Sequence, residues 1–307
     1  MQHYEFVVSV LNLDLLTIWG KTLPPLFFVD SLAWMWNAVP QGIENVAPYF
    51  VQDFLFPQVR IGSWQNSYPL VVVPPIISEQ LSTPIINLSL RNKLLVNFSG
   101  CDNPYVDEKV FEKYALTLSN LIIDEAGAFD EIQICSNRKL AELVDSKVTE
   151  RKKVKADGLS QDDFIKQMQT SRLMLTAPGI TTTLEAMRTK IPFAFILPQN
   201  DSQALLSEIY REQIGEEVCM AFSSFGKEFS FTADLIDHCD KASAVRLAAT
   251  FLEKILDTKQ DEIKKKVRLL LALSSIPKTN AFFTKKIRTG DLTGQRVIAE
   301  TILRFLS

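Results

Sequence analysis

At 307 residues, 47% hydrophobic and 22% charged, the chain has enough apolar material for two domains with their own cores and too much for a disordered protein. A net charge of -3 and a pI near 5.6 exclude a general affinity for nucleic acid, although KVTERKKVK (147–155) is locally basic. Cys101, Cys135, Cys219 and Cys239 form no CxxC pair, which argues against a zinc cluster or a disulfide framework.

A reducing, cytoplasmic setting is therefore expected. No run reaches the roughly 18 apolar residues of a membrane span, and MQHYEFVVSVLN lacks the basic start of a secretory signal. The N-x-S sequons at Asn87 and Asn97 are accordingly read as chance.

In chain order, EFVVSVLNL (5–13), PLFFVD (25–30), YFVQDF (49–54) and LVVVPP (70–75) read as buried strands. Within VDSLAWMW (29–36), Asp30 closes a strand and Trp34 and Trp36 follow. Asp30 reads either as a catalytic base or as the cap of the next helix. The tryptophans either stack an acceptor or fill a domain interface. The proline-rich stretch 71–89 reads as a linker, which divides the chain into a short first domain (1–80) and a second (81–307), with the last helix packing back on the first.

After the linker, LLVNFSG (94–100), EIQICS (131–136), RLMLTAP (172–178) and PFAFILP (192–198) read as strands, and 111–127 and 162–171 as helices. This is the alternation of a mainly parallel α/β sheet. The tail carries three amphipathic helices, 243–256, 260–274 and 294–307.

In TAPGITTTLEAM (176–187), a strand meets a helix through Pro-Gly, and Thr182 with Glu185 has the spacing of a capping box. Gly179 admits close backbone approach, and the helix's positive end favours an anion such as pyrophosphate; a plain strand-to-helix turn is the competing reading. QNDSQ (199–203), at the same sheet edge, reads as a sugar-hydroxyl site or as a helix cap by Asp201 or Ser202. NFSGCDNP (97–104) places Ser99 and Gly100 at the end of the second domain's first strand.

In this order, APGITTTLEAM and KIPFAFILPQNDSQ resemble the donor-binding half of the GT-B glycosyltransferases, the superfamily of UDP-glycosyltransferases and the peptidoglycan N-acetylglucosaminyltransferase. The matching region runs from about Leu94 to about Gly215. The resemblance implies an α/β, GT-B-like fold of two Rossmann-type doubly wound domains, the N-terminal one shortened. It implies a glycosyltransferase that uses a nucleoside-diphosphate sugar, a UDP-sugar, as substrate, with a small-molecule or glycan acceptor and no cofactor.

Carried over by position, the resemblance sets Gly179, Ile180 and Thr181 against the pyrophosphate, joined by Ser99 and Gly100. It sets Glu185 on the ribose, Gln199, Asn200 and Gln203 near the donor sugar, and the base near 156–159. VDSLAWMW looks loosely like a segment of cytosylglucuronate-synthase-related proteins. No D-x-D occurs, so no metal is expected.

The chain departs from the family where the first domain opens directly on a strand, without the initial strand and glycine-rich loop. His3 and His238 are unconvincing as bases, which leaves Asp30. Two alternatives stay open: a nucleotide-sugar hydrolase, and a non-catalytic donor-binding subunit completed by a partner chain that supplies the missing N-terminal part.

Overall fold

Runs of β-branched and aromatic residues form two fully parallel sheets in the computed structural model, which describes residues 4–35, 39–46, 48–53, 64, 68–77, 92–148, 154–237, 239–272 and 293–306. The chain divides into two units, Met1–Glu79 with Thr284–Ser307, and Gln80–Phe283. His3, Trp36, Asn87, His238 and much of the stretches 71–89 and 147–155 lie outside the described residues.

In the first unit, β1 (Val7–Val10), β2 (Leu26–Asp30), β3 (Tyr49–Gln52) and β4 (Leu70–Val73) lie side by side in that order. The inner strands, LFFVD and YFVQ, are buried at every residue because both faces are covered. On one face Leu26, Phe28, Tyr49 and Val51 pack with Leu16 of α1 (Leu13–Ile18) and with Ile43. On the other, Phe27, Val29, Phe50 and Val73 meet Ile298 and Ile302 of the last helix of the chain, Gly294–Leu306. That helix begins where a side chain has no room: a Cβ on Gly294 would collide with the Pro74 carbonyl. The strand read over 5–13 ends early because Leu11 adopts a left-handed φ of 59°, which turns the chain into α1.

The second unit alternates strictly. It runs β5 (Lys93–Asn97), α2 (Glu108–Glu125), β6 (Glu131–Cys135), α3 (Arg138–Val148), β7 (Val154–Asp157), α4 (Gln161–Thr170), β8 (Leu173–Thr176), α5 (Ile180–Thr189), β9 (Phe193–Phe195) and α6 (Asp201–Ile214). The sheet order is β7-β6-β5-β8-β9, the doubly wound arrangement, with its reversal between β5 and β8. α7 (Ala233–Asp237), α8 (Lys241–Thr258) and α9 (Gln260–Ala272) follow, and α10 is the Gly294–Leu306 helix of the first unit. The apolar stripe of α2, Val110, Tyr114, Leu118 and Ile122, joins Leu252, Ile255, Ile263 and Val267 of the tail helices in one core.

Candidate active site

β5 and β8 are neighbours whose connections leave in opposite directions, so a crevice opens beyond their carboxyl ends. Asn97 and Thr176 end these strands in register. The Asn97 amide donates to the Thr176 hydroxyl at 3.1 Å, and the Ala177 N–H to the Asn97 carbonyl at 2.9 Å. Asn97 is thus buried and engaged, in keeping with its sequon being chance.

Past Asn97 the chain turns through two non-glycine residues in the left-handed region, Ser99 (φ 62°) and Cys101 (φ 43°). Such conformations cost about 1 kcal/mol or more and persist where the surroundings impose them. Here the Ser99 N–H donates to Asn97 Oδ1 at 3.0 Å, and the Asn137 amide donates to the carbonyls of Gly100 (2.8 Å) and Cys101 (3.2 Å). Asn137 also accepts the Leu140 N–H and so caps α3. Burial pushes the Cys101 thiol up to about 12, which makes it a packing group and not a nucleophile.

Opposite this turn, Gly179 is the N-cap of α5 and offers no side-chain cap. The first turn of α5 carries no acidic residue, so its positive end is uncompensated. α4 differs: Ser160 caps it and Asp162 and Asp163 sit in its first turn. Of the three helix starts at this crevice, α3 is capped by Asn137 and α4 by Ser160, so that of α5 is the one left without a side-chain cap. A Cβ on Gly179 would meet only the Ala177 carbonyl, at 3.9 Å, and one on Gly100 nothing within 4 Å, so both glycines border open space. A cleft of about 320 Å³ is lined by Ser99, Gly100, Ser136, Leu159, Gln161 and Thr182, among others.

The expected site residues fall into three groups. Ser99 and Gly100 line the cleft; Gly179, Ile180 and Thr181 do not, although they begin the helix whose Thr182 does, and the Ile180 side chain is buried. Glu185 sits one layer back. It is 2% exposed, and its Oε1 accepts from Gln161 Nε2 at 2.5 Å, so Gln161 stands between it and the cleft. Burial raises its carboxyl to about 7 despite that hydrogen bond.

The capping box of Thr182 and Glu185 does not form. α5 starts at Ile180, which places both residues inside the helix; Thr183 instead donates its hydroxyl back to the Gly179 carbonyl at 2.5 Å. Glu185 is therefore free of any capping role.

The third group, Gln199, Asn200 and Gln203, forms a joint behind the cleft. Asn200, not Asp201 or Ser202, caps α6 by accepting the Gln203 N–H at 2.9 Å; Gln203 Oε1 accepts the Gln199 N–H at 3.1 Å; Gln199 Nε2 donates to the Phe98 carbonyl at 2.6 Å. Asp201 pairs with Lys241 at 2.5 Å. These amides hold the Phe98–Ser99 turn from below. Gln199→Ala is expected to lower the second unit's stability by about 1–3 kcal/mol, because the buried Phe98 carbonyl and Gln199's own loop lose their tie. Thermal unfolding followed by circular dichroism measures this, and an unchanged midpoint would remove the joint from the account.

No protein-family model matches the sequence, and no curated protein matches it. Solved structures do resemble it. Os79 from O. sativa in complex with UDP aligns at 12% identity and TM-score 0.46, over 86% of this chain and 56% of that one. TarM from S. aureus, with UDP and glycan ligands, aligns at 14% and 0.38, over 82% and 52%. S. aureus MnaA with UDP aligns at 10% and 0.45, over 94% and 78%. The chain spans about half the length of the Os79 and TarM chains it matches.

Sequence reasoning missed Ser136, Asn137, Gln161 and Phe164, which also border the cleft. Their signal is positional, since each lies at the carboxyl end of β6 or β7 or in the helix that follows. In the first unit, Asp30 departs from its reading as a base. It is 0% exposed; one oxygen accepts the Leu32 N–H at 2.7 Å and the other the Tyr49 hydroxyl at 2.5 Å. This is the capping alternative, at the entry to a 3-10 turn over Ala33–Met35 whose Trp34 is buried. Among the described residues no helix is long and apolar enough to cross a membrane, and no group of three or more His, Cys, Asp or Glu side chains is placed to hold a metal ion.

Proposed function

We propose that the second unit binds a nucleoside-diphosphate sugar, a UDP-sugar, in the β5/β8 cleft, and that the protein is a GT-B-type glycosyltransferase acting from that donor. The observation that carries the reading is the uncapped start of α5, which borders through Thr182 the cleft that Ser99 and Gly100 also line, at the sheet's topological switch point. In this reading the diphosphate lies on the backbone of Gly179, Ile180 and Thr181, with Ser99 and Gly100 approaching from the other wall. The charge that develops on the departing diphosphate meets the α5 dipole, which makes the step independent of a metal. Glu185 takes the ribose hydroxyls once Gln161 swings aside. The donor sugar rests over the turn held by Gln199, and the cytoplasm is the setting.

Gly179→Ala tests this directly. The added methyl has room in the free protein, and φ at 179 is -143°, so stability is expected to stay within about 0.5 kcal/mol. The same methyl lies where the phosphate must approach, so affinity is expected to fall at least about tenfold. Calorimetry against UDP-, TDP-, GDP- and CMP-sugars measures it. Equal binding by both proteins, or none by the wild type, defeats the proposal.

One observation favours a second reading, donor binding without transfer by this chain alone. Asp30, the base the sequence offered, has both oxygens engaged in the fold. A partner chain would then supply the proton acceptor. Sugar transfer or release by the pure protein rejects that reading.

A further inference from the structure

Twelve large apolar side chains are exposed among the described residues, and all but Tyr105 and Leu269 belong to the first unit. Val8, Val10 and Leu11 lie on or just after β1, an edge strand of its sheet, and Leu303, Phe305 and Leu306 lie at the end of α10. The Val7 N–H donates to the Pro25 carbonyl at 2.9 Å and the Leu11 N–H to the Val29 carbonyl at 3.1 Å. In a parallel strand this alternation turns the main-chain groups of Val8 and Val10 away from β2, toward the open edge.

The register pairs Val8 with Phe27 and Val10 with Val29, so their side chains share the face that α10 covers. α10 does not reach over them. Val8 is 43% and Val10 61% exposed; near the end of the helix Leu303 and Phe305 are exposed, and the Phe305 ring meets that of Phe27 edge-on at 5.3 Å.

Among the described residues nothing pairs with this edge, and of the devices that blunt an edge (a short strand, lysine, proline or an inward charge) β1 has only its four-residue length. The segment FVVSVLNL, Phe6 to Leu13, contains none of the other three. The opposite edge, β4, is protected: Pro69 precedes it and Pro74 and Pro75 follow.

We propose that β1 pairs antiparallel with β1 of a second copy of this chain about a two-fold axis, joining the two four-stranded sheets. Only an extended strand satisfies the outward N–H and C=O groups of Val8 and Val10, and a two-fold pairing lets one sequence supply both sides. The arrangement sets no like charges against each other, because Glu5 of one strand falls opposite the uncharged Leu11–Asn12 end of the other. It also places the valines of both copies on one face, next to the exposed ends of both α10 helices, where each covers apolar surface the other leaves bare.

Sedimentation equilibrium of the full chain tests this, with two variants chosen to spare the monomer fold. Val10→Lys adds a charge to a side chain already mostly in solvent. Val10→Pro removes an N–H that β2 does not use. The wild type is expected to be a dimer, with its Val8 and Val10 amides protected from hydrogen exchange, and each variant to weaken dimerisation at least about tenfold with those amides unprotected. A wild type that stays monomeric up to about 100 μM overturns the proposal. So does a dimer that both variants leave intact, or protection of the edge only when another protein is bound.

Discussion

Asp30→Ala is expected to cost the first unit about 3 kcal/mol while leaving nucleotide-sugar affinity in the second unit unchanged. The deletion strands two donors at once, the Leu32 N–H and the Tyr49 hydroxyl. Tyr49 is itself fully buried, and burial, followed by the charge of Asp30 and the hydrogen bond to it, holds its hydroxyl far above the ordinary tyrosine range, so it stays a donor at any working pH. Tyr49→Phe removes one donor and keeps the carboxylate on Leu32, so a smaller loss, about 1–2 kcal/mol, is expected. The two should couple in a double-mutant cycle.

The measurement is unusually clean because all four tryptophans of the chain, at 19, 34, 36 and 64, fall in the first unit. Denaturant unfolding followed by tryptophan fluorescence therefore reports that unit alone. If Asp30 instead serves as the base, Asp30→Ala leaves the fluorescence midpoint in place and abolishes transfer. That result would reverse the structural assignment.

The strands legible in the sequence were runs of β-branched and aromatic residues, the half-exposed edges β1 and β4 included. LLVNFSG, EIQICS and RLMLTAP each became a parallel strand of the second unit whose end sets a cleft residue or its neighbour. β7 was not legible. It is an edge strand of four residues, VKAD, with mostly exposed positions, beside a basic run that reads as loop. Missing it left the β7–α4 loop without an anchor, and with it Gln161, the residue that stands over Glu185.

The strand-to-helix turn at Gly179 was legible because glycine, proline and the helix start are local. Its capping pattern misled because Thr182 and Glu185 have the required spacing on a helix whose N-cap lies three residues sooner, at Gly179. The roles of Gln199, Asn200 and Gln203 depend on a contact more than 100 positions away, at Phe98, which spacing along the chain does not encode.

Glu185 ties the site to pH, and the direction can be worked out. Its carboxyl titrates near 7 in the fold against an ordinary value of 4.5, because burial disfavours the charge and the Gln161 amide only partly offsets this. The folded state thus holds a proton that the unfolded state has released between those values. Stability from this group is fully present below about pH 4.5 and is lost as pH rises through about 7, a change on the order of 3 kcal/mol. Glu185→Gln, neutral at every pH, should remove the slope. Urea unfolding of the second unit, followed by circular dichroism at about pH 5 and about pH 8, measures it.

Ligand binding runs the other way. If Glu185 takes the ribose as proposed, the hydroxyls donate to the ionised carboxylate, so binding lowers the carboxyl's titration point and affinity increases as pH rises toward and past 7. Proton release on binding shows in calorimetry as a heat that changes with the buffer's ionisation enthalpy. In Glu185→Gln, affinity should be weaker above pH 7, by about tenfold, and independent of pH. A stability slope without any change in affinity would keep Glu185 as a buried acid of the fold and move the ribose elsewhere. Loss of the slope together with the pH dependence of binding would put one carboxyl behind both.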